Sequence, residues 1–135
     1  MSRVQLALNV DDLDTAVEFY STLFQTRPAK RRPGYANFAI ADPALKLVLF
    51  ENPGAGGSLN HLGVEVSSPE EVAEATRRLA AEGLSTQVEE NTTCCYAVQD
   101  KVWVSAPGSG RWEVYTVLAD AGAEATTEGA VCCGG

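Results

Sequence analysis

Hydrophobic and polar residues alternate in two short runs, Gln5-Leu-Ala-Leu-Asn-Val10 and His61-Leu-Gly-Val-Glu-Val66. Sliding the chain by 56 residues lays one over the other without a gap. Such alternation predicts a strand with one buried face. Each run leads into a helical pattern. In the first, Leu13, Ala16, Val17, Tyr20, Leu23 and Phe24 recur on one face, with Asp11 as N-cap and Asp14 favouring the positive end of the helix. In the second, Ser68-Pro69-Glu70-Glu71 reads as a capping box with proline at the first helical position. Val72, Ala75, Leu79 and Ala80 form its apolar stripe, and Gly83 suits a left-handed stop. The slide also pairs Val10 with Val66, Val17 with Ala73 and Leu23 with Leu79.

Three strand-like runs follow each helix. In the first half they lie near 26–32, 35–41 and Leu45–Glu51, with Pro33-Gly34 and Asp42-Pro43 between them. In the second they lie near 84–89, within 94–106 and at 111–118, broken by Pro107-Gly108-Ser109-Gly110. Residues 52–58, rich in glycine, read as the linker. The pattern is therefore βαβββ–linker–βαβββ, an α+β chain with modules at about 3–51 and 59–118. These form one domain over 1–118, and 119–135 follow as a mobile tail. A single ferredoxin-like sandwich leaves the fixed offset of the repeat unexplained.

The chain has 135 residues, a one-domain length. At 45% hydrophobic and 21% charged, its composition is that of a globular protein. It has no apolar run near the roughly 20 residues that span a bilayer, and its start carries no signal-peptide pattern. The expected location is the cytoplasm, away from any membrane. The formal net charge of −8 argues against a nucleic-acid partner, which needs a basic face. The one basic cluster, Lys30-Arg31-Arg32, reads as a solvated edge-strand group. The four cysteines form two adjacent pairs, Cys94-Cys95 and Cys132-Cys133. This is neither a spaced disulfide framework nor CxxC zinc spacing, and in a reducing compartment free thiols are expected.

Duplication also predicts a site. Equivalent strands of twin modules present equivalent positions, and the slide pairs Gln5 with His61, the only histidine. A lone histidine is more often packed or solvated than ligating; its pairing with Gln5 favours ligation. In the last strand-like run, Glu113 alternates with Trp112 and Val114, which face the other way. A buried carboxylate needs a cation or a metal, and no cation stands beside it in the sequence. The first-half counterpart of that strand places Lys46 where a fourth, acidic ligand would sit. A lysine cannot coordinate there, so the expected set is Gln5, His61 and Glu113. One imidazole and two oxygens, with open positions, suit Fe(II), with Mn(II), Ni(II) or Zn(II) as substitutes.

The duplicated βαβββ pattern, with the strand starts VQLALNV and HLGVEV and the closing RWEVY, resembles the glyoxalase/bleomycin-resistance/extradiol dioxygenase superfamily over about residues 3–118. The resemblance implies the vicinal-oxygen-chelate fold, an open curved sheet around a metal site. It places the ligands on the first, fifth and eighth strands, at Gln5, His61 and Glu113. Lys46 replaces the acidic ligand that glyoxalase I carries on its fourth strand, which favours the dioxygenase-like branch. The segments RPGYANFAIADPALKLVLFE (32–51) and NTTCCYAVQDKVWV (91–104) are similar to the ArsI carbon–arsenic lyases and the related CadI proteins. That likeness implies Fe(II)- and O2-dependent cleavage of trivalent organoarsenicals to arsenite, with the arsenical captured by Cys94 and Cys95.

The chemistry of the pair agrees. Trivalent arsenic is soft and thiophilic, and two neighbouring thiolates fill both exchangeable positions of a monoalkyl arsenic. Adjacent strand residues point to opposite faces, so the sulfurs meet one atom only if 91–95 form a turn or loop. Small hydrophobic fillers are the plainer alternative for the pair. Cys132 and Cys133 transfer arsenic or stay idle. Three other functions remain open: a CadI-like protein that sequesters cadmium or arsenic without turnover, a glyoxalase-type lyase, and a bleomycin-type drug binder. The expected assembly is a monomer or a homodimer.

Overall fold

The computed structural model describes residues 2–107 and 110–120. Its contacts divide the chain into two compact units, Arg3–His61 and one that begins at Leu62.

In the first unit, β1 (Arg3–Val10) leads into α1 (Leu13–Phe24), then β2 (Lys30–Arg32), β3 (Tyr35–Ile40) and β4 (Leu45–Glu51). The strand order is β2-β3-β4-β1. β1 runs parallel to β4, and the other two pairs are antiparallel. Leu13 and Val17 of α1 are buried against Val10, Ala36, Phe38, Ile40, Leu47 and Leu49, with Leu6, Leu8 and Tyr20 packed beside them. Strand alternation sends Gln5, Ala7 and Asn9 to the opposite face. The sheet thus has one apolar face under α1 and one face that carries polar groups.

Two expectations for α1 need correction. The N-cap is Asp12, whose side chain accepts from the Thr15 N–H. Asp11 instead accepts from the N–H groups of Gly54 (2.7 Å) and Gly56 (3.0 Å), tying the start of α1 to the linker. Leu23 is 54% exposed. At 3.6 residues per turn it lies about 90° from the middle of the stripe set by Leu13, Val17, Tyr20 and Phe24.

A Cβ added at Gly56 would clash with the Asp11 carboxylate. Gly56→Ala therefore has to push away the group that satisfies two backbone donors. A loss of about 1–3 kcal/mol in urea unfolding is expected, as for other overpacked sites.

The second unit repeats the order of elements. The later part of β5 (Leu59–Glu65) pairs in parallel with β8 (Arg111–Asp120), and β7 (Ala97–Ser105) stands antiparallel between β8 and β6 (Thr86–Cys94). α2 (Pro69–Ala81) starts at the Ser68 cap, whose side chain accepts from the Glu71 N–H, and packs on β7 and β8 through Val72 and Ala75. Ala73, aligned with Val17 by the 56-residue slide, is exposed. Val72 takes the inward place, so the repeat drifts by one residue within the helix.

Strand limits differ from expectation at several points, and β2 covers only Lys30–Arg32 of the expected 26–32. β6 runs on to Cys94 across a bulge, where Asn91 takes a positive φ of 54° and Asp100 accepts from its N–H. β8 includes Ala119 and Asp120, two residues assigned above to the tail. Cys132 and Cys133 lie outside the described residues. Among the described residues no helix is long and apolar enough to cross a membrane.

Candidate functional site

Each unit brings together its own part of the expected constellation. In the first, Gln5 (4% exposed) and His61 (3%) are buried, and Gln5 Nε2 lies 3.2 Å from His61 Nε2. An amide nitrogen only donates, so this ring nitrogen is the acceptor. The other ring nitrogen, Nδ1, is 2.8 Å from Asn60 Oδ1. The Phe50 ring stands 6.4 Å from the imidazole. On the same polar face, Asn37 Nδ2 donates to the Tyr35 hydroxyl at 2.9 Å, both residues being buried.

In the second unit Glu113 is buried, so it is not a solvated strand glutamate. The expectation that no cation lies beside it fails. Lys101 Nζ is 2.8 Å from Glu113 Oε1, with both side chains almost fully enclosed. Sequence distance hid the pair: β7 and β8 are antiparallel, with Lys101 opposite Tyr115 and Trp103 opposite Glu113. Gln99, Lys101 and Trp103 alternate with Val98, Asp100 and Val102. The parity of that run was the available signal, but only the register says which carboxylate it faces. Lys101 Nζ also stands 5.3 Å from the Trp103 ring and 5.8 Å from the Tyr115 ring, within cation–π range.

Lys101 reaches the cysteine pair as well. Its Nζ donates to Cys94 Sγ at 3.8 Å, and Cys94 Sγ and Cys95 Sγ are 3.5 Å apart. A turn does bring the sulfurs to one side, at a different place from 91–95. Cys94 is the last residue of β6 and pairs with Ala97, while Cys95 and Tyr96 both have positive φ, 55° and 63°. This is the two-residue turn that follows the twist of a β-hairpin. It usually carries Asn or Gly, and a cysteine and a tyrosine there hold some backbone strain. Neither cysteine is free in the structure, contrary to the expectation of thiols. At 3.5 Å the two are not bonded to each other.

The registers also revise the reading of Lys46. Glu113 pairs with Gly63, Gly63 corresponds to Ala7 in the repeat, and Ala7 pairs with Val48. The first-unit counterpart of Glu113 is therefore Val48, and Lys46 is the partner of Gln5. A valine offers a metal no more than a lysine does, so the expectation of three protein ligands is not altered by this change of register.

The donor types suit a divalent first-row ion: an imidazole with a lone pair at Nε2, an amide, and a carboxylate. Among the described residues no three His, Cys, Asp or Glu side chains cluster as a metal site. Gln5, an amide, is not one of those residue types.

The class of protein is now defined. The sequence profile of the Glyoxalase/Bleomycin resistance protein/Dioxygenase superfamily matches residues 3–114, and the chain belongs to that superfamily, with the vicinal-oxygen-chelate fold. Among its relatives, the cadmium-induced protein CadI of Mycobacterium tuberculosis is 70% identical over 120 residues, covering 89% of this chain and 79% of that protein. The trivalent organoarsenical cleaving enzyme of Thermomonospora curvata is 58% identical over 134 residues, covering 98% of this chain and 89% of the enzyme. Among solved structures, the 2,3-dioxygenase LapB of Pseudomonas sp. KL28 shares the fold. Its TM-score is 0.67 at 19% identity, and the match covers 90% of this chain and 42% of LapB.

Proposed function

We propose that this chain cleaves the carbon–arsenic bond of trivalent organoarsenicals, using Fe(II) and O2 and yielding inorganic arsenite. The observation that carries the reading is the Cys94-Cys95 turn, which sets two sulfurs 3.5 Å apart, close to the span of two sulfurs on one arsenic atom. Likeness to an organoarsenical cleaving enzyme at 58% identity supports it.

In their reduced form, Cys94 and Cys95 displace two hydroxyl groups from an organoarsenic(III) diol. Two As–S bonds form, two waters leave, and the carbon substituent projects away from the turn. Lys101 donates to one of those sulfurs and fixes its position. Gln5, His61 and Glu113 are the proposed metal ligands. What a ferrous ion supplies when bound there is the activation of O2, which no side chain here provides. The proposed setting is the cytoplasm, where thiols stay reduced.

Likeness to a cadmium-induced protein at 70% identity favours a second reading, in which the same thiols sequester Cd(II) or arsenic without turnover. One assay separates the two. Protein is reconstituted with Fe(II) under anaerobic, reducing conditions and loaded with a trivalent methyl- or phenyl-arsenical, and O2 is then admitted. Arsenite release that starts only with O2 is the expected result. Tight retention of the intact arsenical before and after O2 overturns the enzyme and leaves the sequestering protein.

A further inference from the structure

We propose that Asn60, itself oriented by Asn9, is a positioning residue that locks His61 in the tautomer with its proton on Nδ1 and its lone pair on Nε2. The direction of the chain of hydrogen bonds is set at its far end. Ser58 Oγ lies 2.6 Å from the Ala55 carbonyl oxygen. A carbonyl only accepts, so the single hydroxyl proton of Ser58 is committed there. Ser58 Oγ is then the acceptor for Asn9 Nδ2 at 2.9 Å. This turns Asn9 Oδ1 the other way, where it accepts from Asn52 Nδ2 (2.7 Å) and Asn60 Nδ2 (2.9 Å).

With its nitrogen so engaged, Asn60 presents Oδ1 to His61 Nδ1 at 2.8 Å, and an oxygen there requires a proton on the ring. The opposite side of the imidazole agrees: Gln5 Nε2 donates to His61 Nε2 at 3.2 Å. Reversing the chain would strand the Ala55–Ser58 contact and leave Gln5 Nε2 pointing at a protonated Nε2 of His61.

The consequence rests on the proposed role of His61 as a metal ligand. A neutral imidazole exchanges between two tautomers, and only one offers the lone pair at Nε2, the nitrogen that also faces Gln5. Residues that hold a ligating histidine in one tautomer typically contribute 10–100-fold to metal affinity. The linker residues 52–58 thereby acquire a use beyond joining two modules, because Asn52 and Ser58 hold the amide of Asn9 in place.

His61 is the only histidine, so protein labelled with 15N in histidine alone reports a single ring. At a pH where that ring is neutral, the metal-stripped wild type is expected to show a protonated Nδ1 and an unprotonated Nε2. Asn60→Ala is expected to move the population toward the Nε2–H form and to weaken Co(II) binding about 10–100-fold. Asn60→Asp keeps the acceptor oxygen and is expected to retain both the tautomer and the affinity. A protonated Nε2 in the wild type, or an unchanged tautomer in Asn60→Ala, overturns the lock. If the tautomer moves while Co(II) affinity stays constant, the lock stands and His61 is overturned as a ligand.

Discussion

Replacing Cys94 by serine is expected to weaken binding of a trivalent monoalkyl arsenical by roughly 10²–10⁴-fold, the usual gain when a second attachment becomes intramolecular. The turn geometry is the reason. With sulfurs 3.5 Å apart, the second As–S bond forms without further ordering of the chain, and a lone thiol loses that advantage. Serine keeps the size of this nearly fully buried side chain and lacks the soft donor. Cys95→Ser is expected to fall in the same range, because chelation needs both sulfurs. Calorimetry of the two variants under reducing conditions, with arsenite release followed in parallel, checks this. Affinity within threefold of wild type for either variant would sink the two-sulfur capture and leave the pair as packing.

The second large effect concerns the buried ion pair. Lys101→Met, measured on protein stripped of metal by a chelator, is expected to lose about 3–5 kcal/mol in urea unfolding, because Glu113 is left charged with its cation removed. Domains of this size are stable by only about 5–15 kcal/mol, so the variant is expected to be marginal. Methionine keeps the length of the aliphatic stem, so packing contributes little to the loss. Adding Glu113→Gln to Lys101→Met removes the orphaned charge and is expected to recover most of it. The double-mutant cycle then isolates the coupling between the two residues.

The same variants also test the metal assignment. If Glu113 is a ligand, Mn(II) replaces the missing cation and stabilises Lys101→Met by more than it stabilises the wild type. Equal stabilisation of the two argues against Glu113 as a ligand.

Lys101 marks the limit of what local sequence specifies. Its strand, its parity and its buried neighbours were all visible, and the carboxylate it would meet was not. Antiparallel pairing of β7 with β8 decides that, and pairing register is a long-range property. The same limit misplaced the counterpart of Glu113: the repeat was read by matching sequence to sequence, while the observed registers shift the fourth strand by two residues and bring Val48 to that position. Asn9 and Asn60 carry no signal in the sequence for a related reason. Asparagines in and beside a loop are common, and only the direction of their hydrogen bonds gives them a role. The sequence does not separate the two adjacent aspartates at the start of α1, which differ by which backbone N–H groups each can reach.

The sequence by itself determined the repeated βαβββ order, the strands that carry Gln5, His61 and Glu113, and the pairing of two cysteines. These follow from local periodicity and from one internal offset, which act over a few residues or compare like with like. The tertiary structure alone decided three things: that Lys101 pairs with Glu113, that both cysteine sulfurs meet across a left-handed turn, and that the linker fixes the imidazole of His61. Each depends on which groups are brought together from distant parts of the chain. Burial makes those encounters matter, because a charge or polar group out of water must find its partner there.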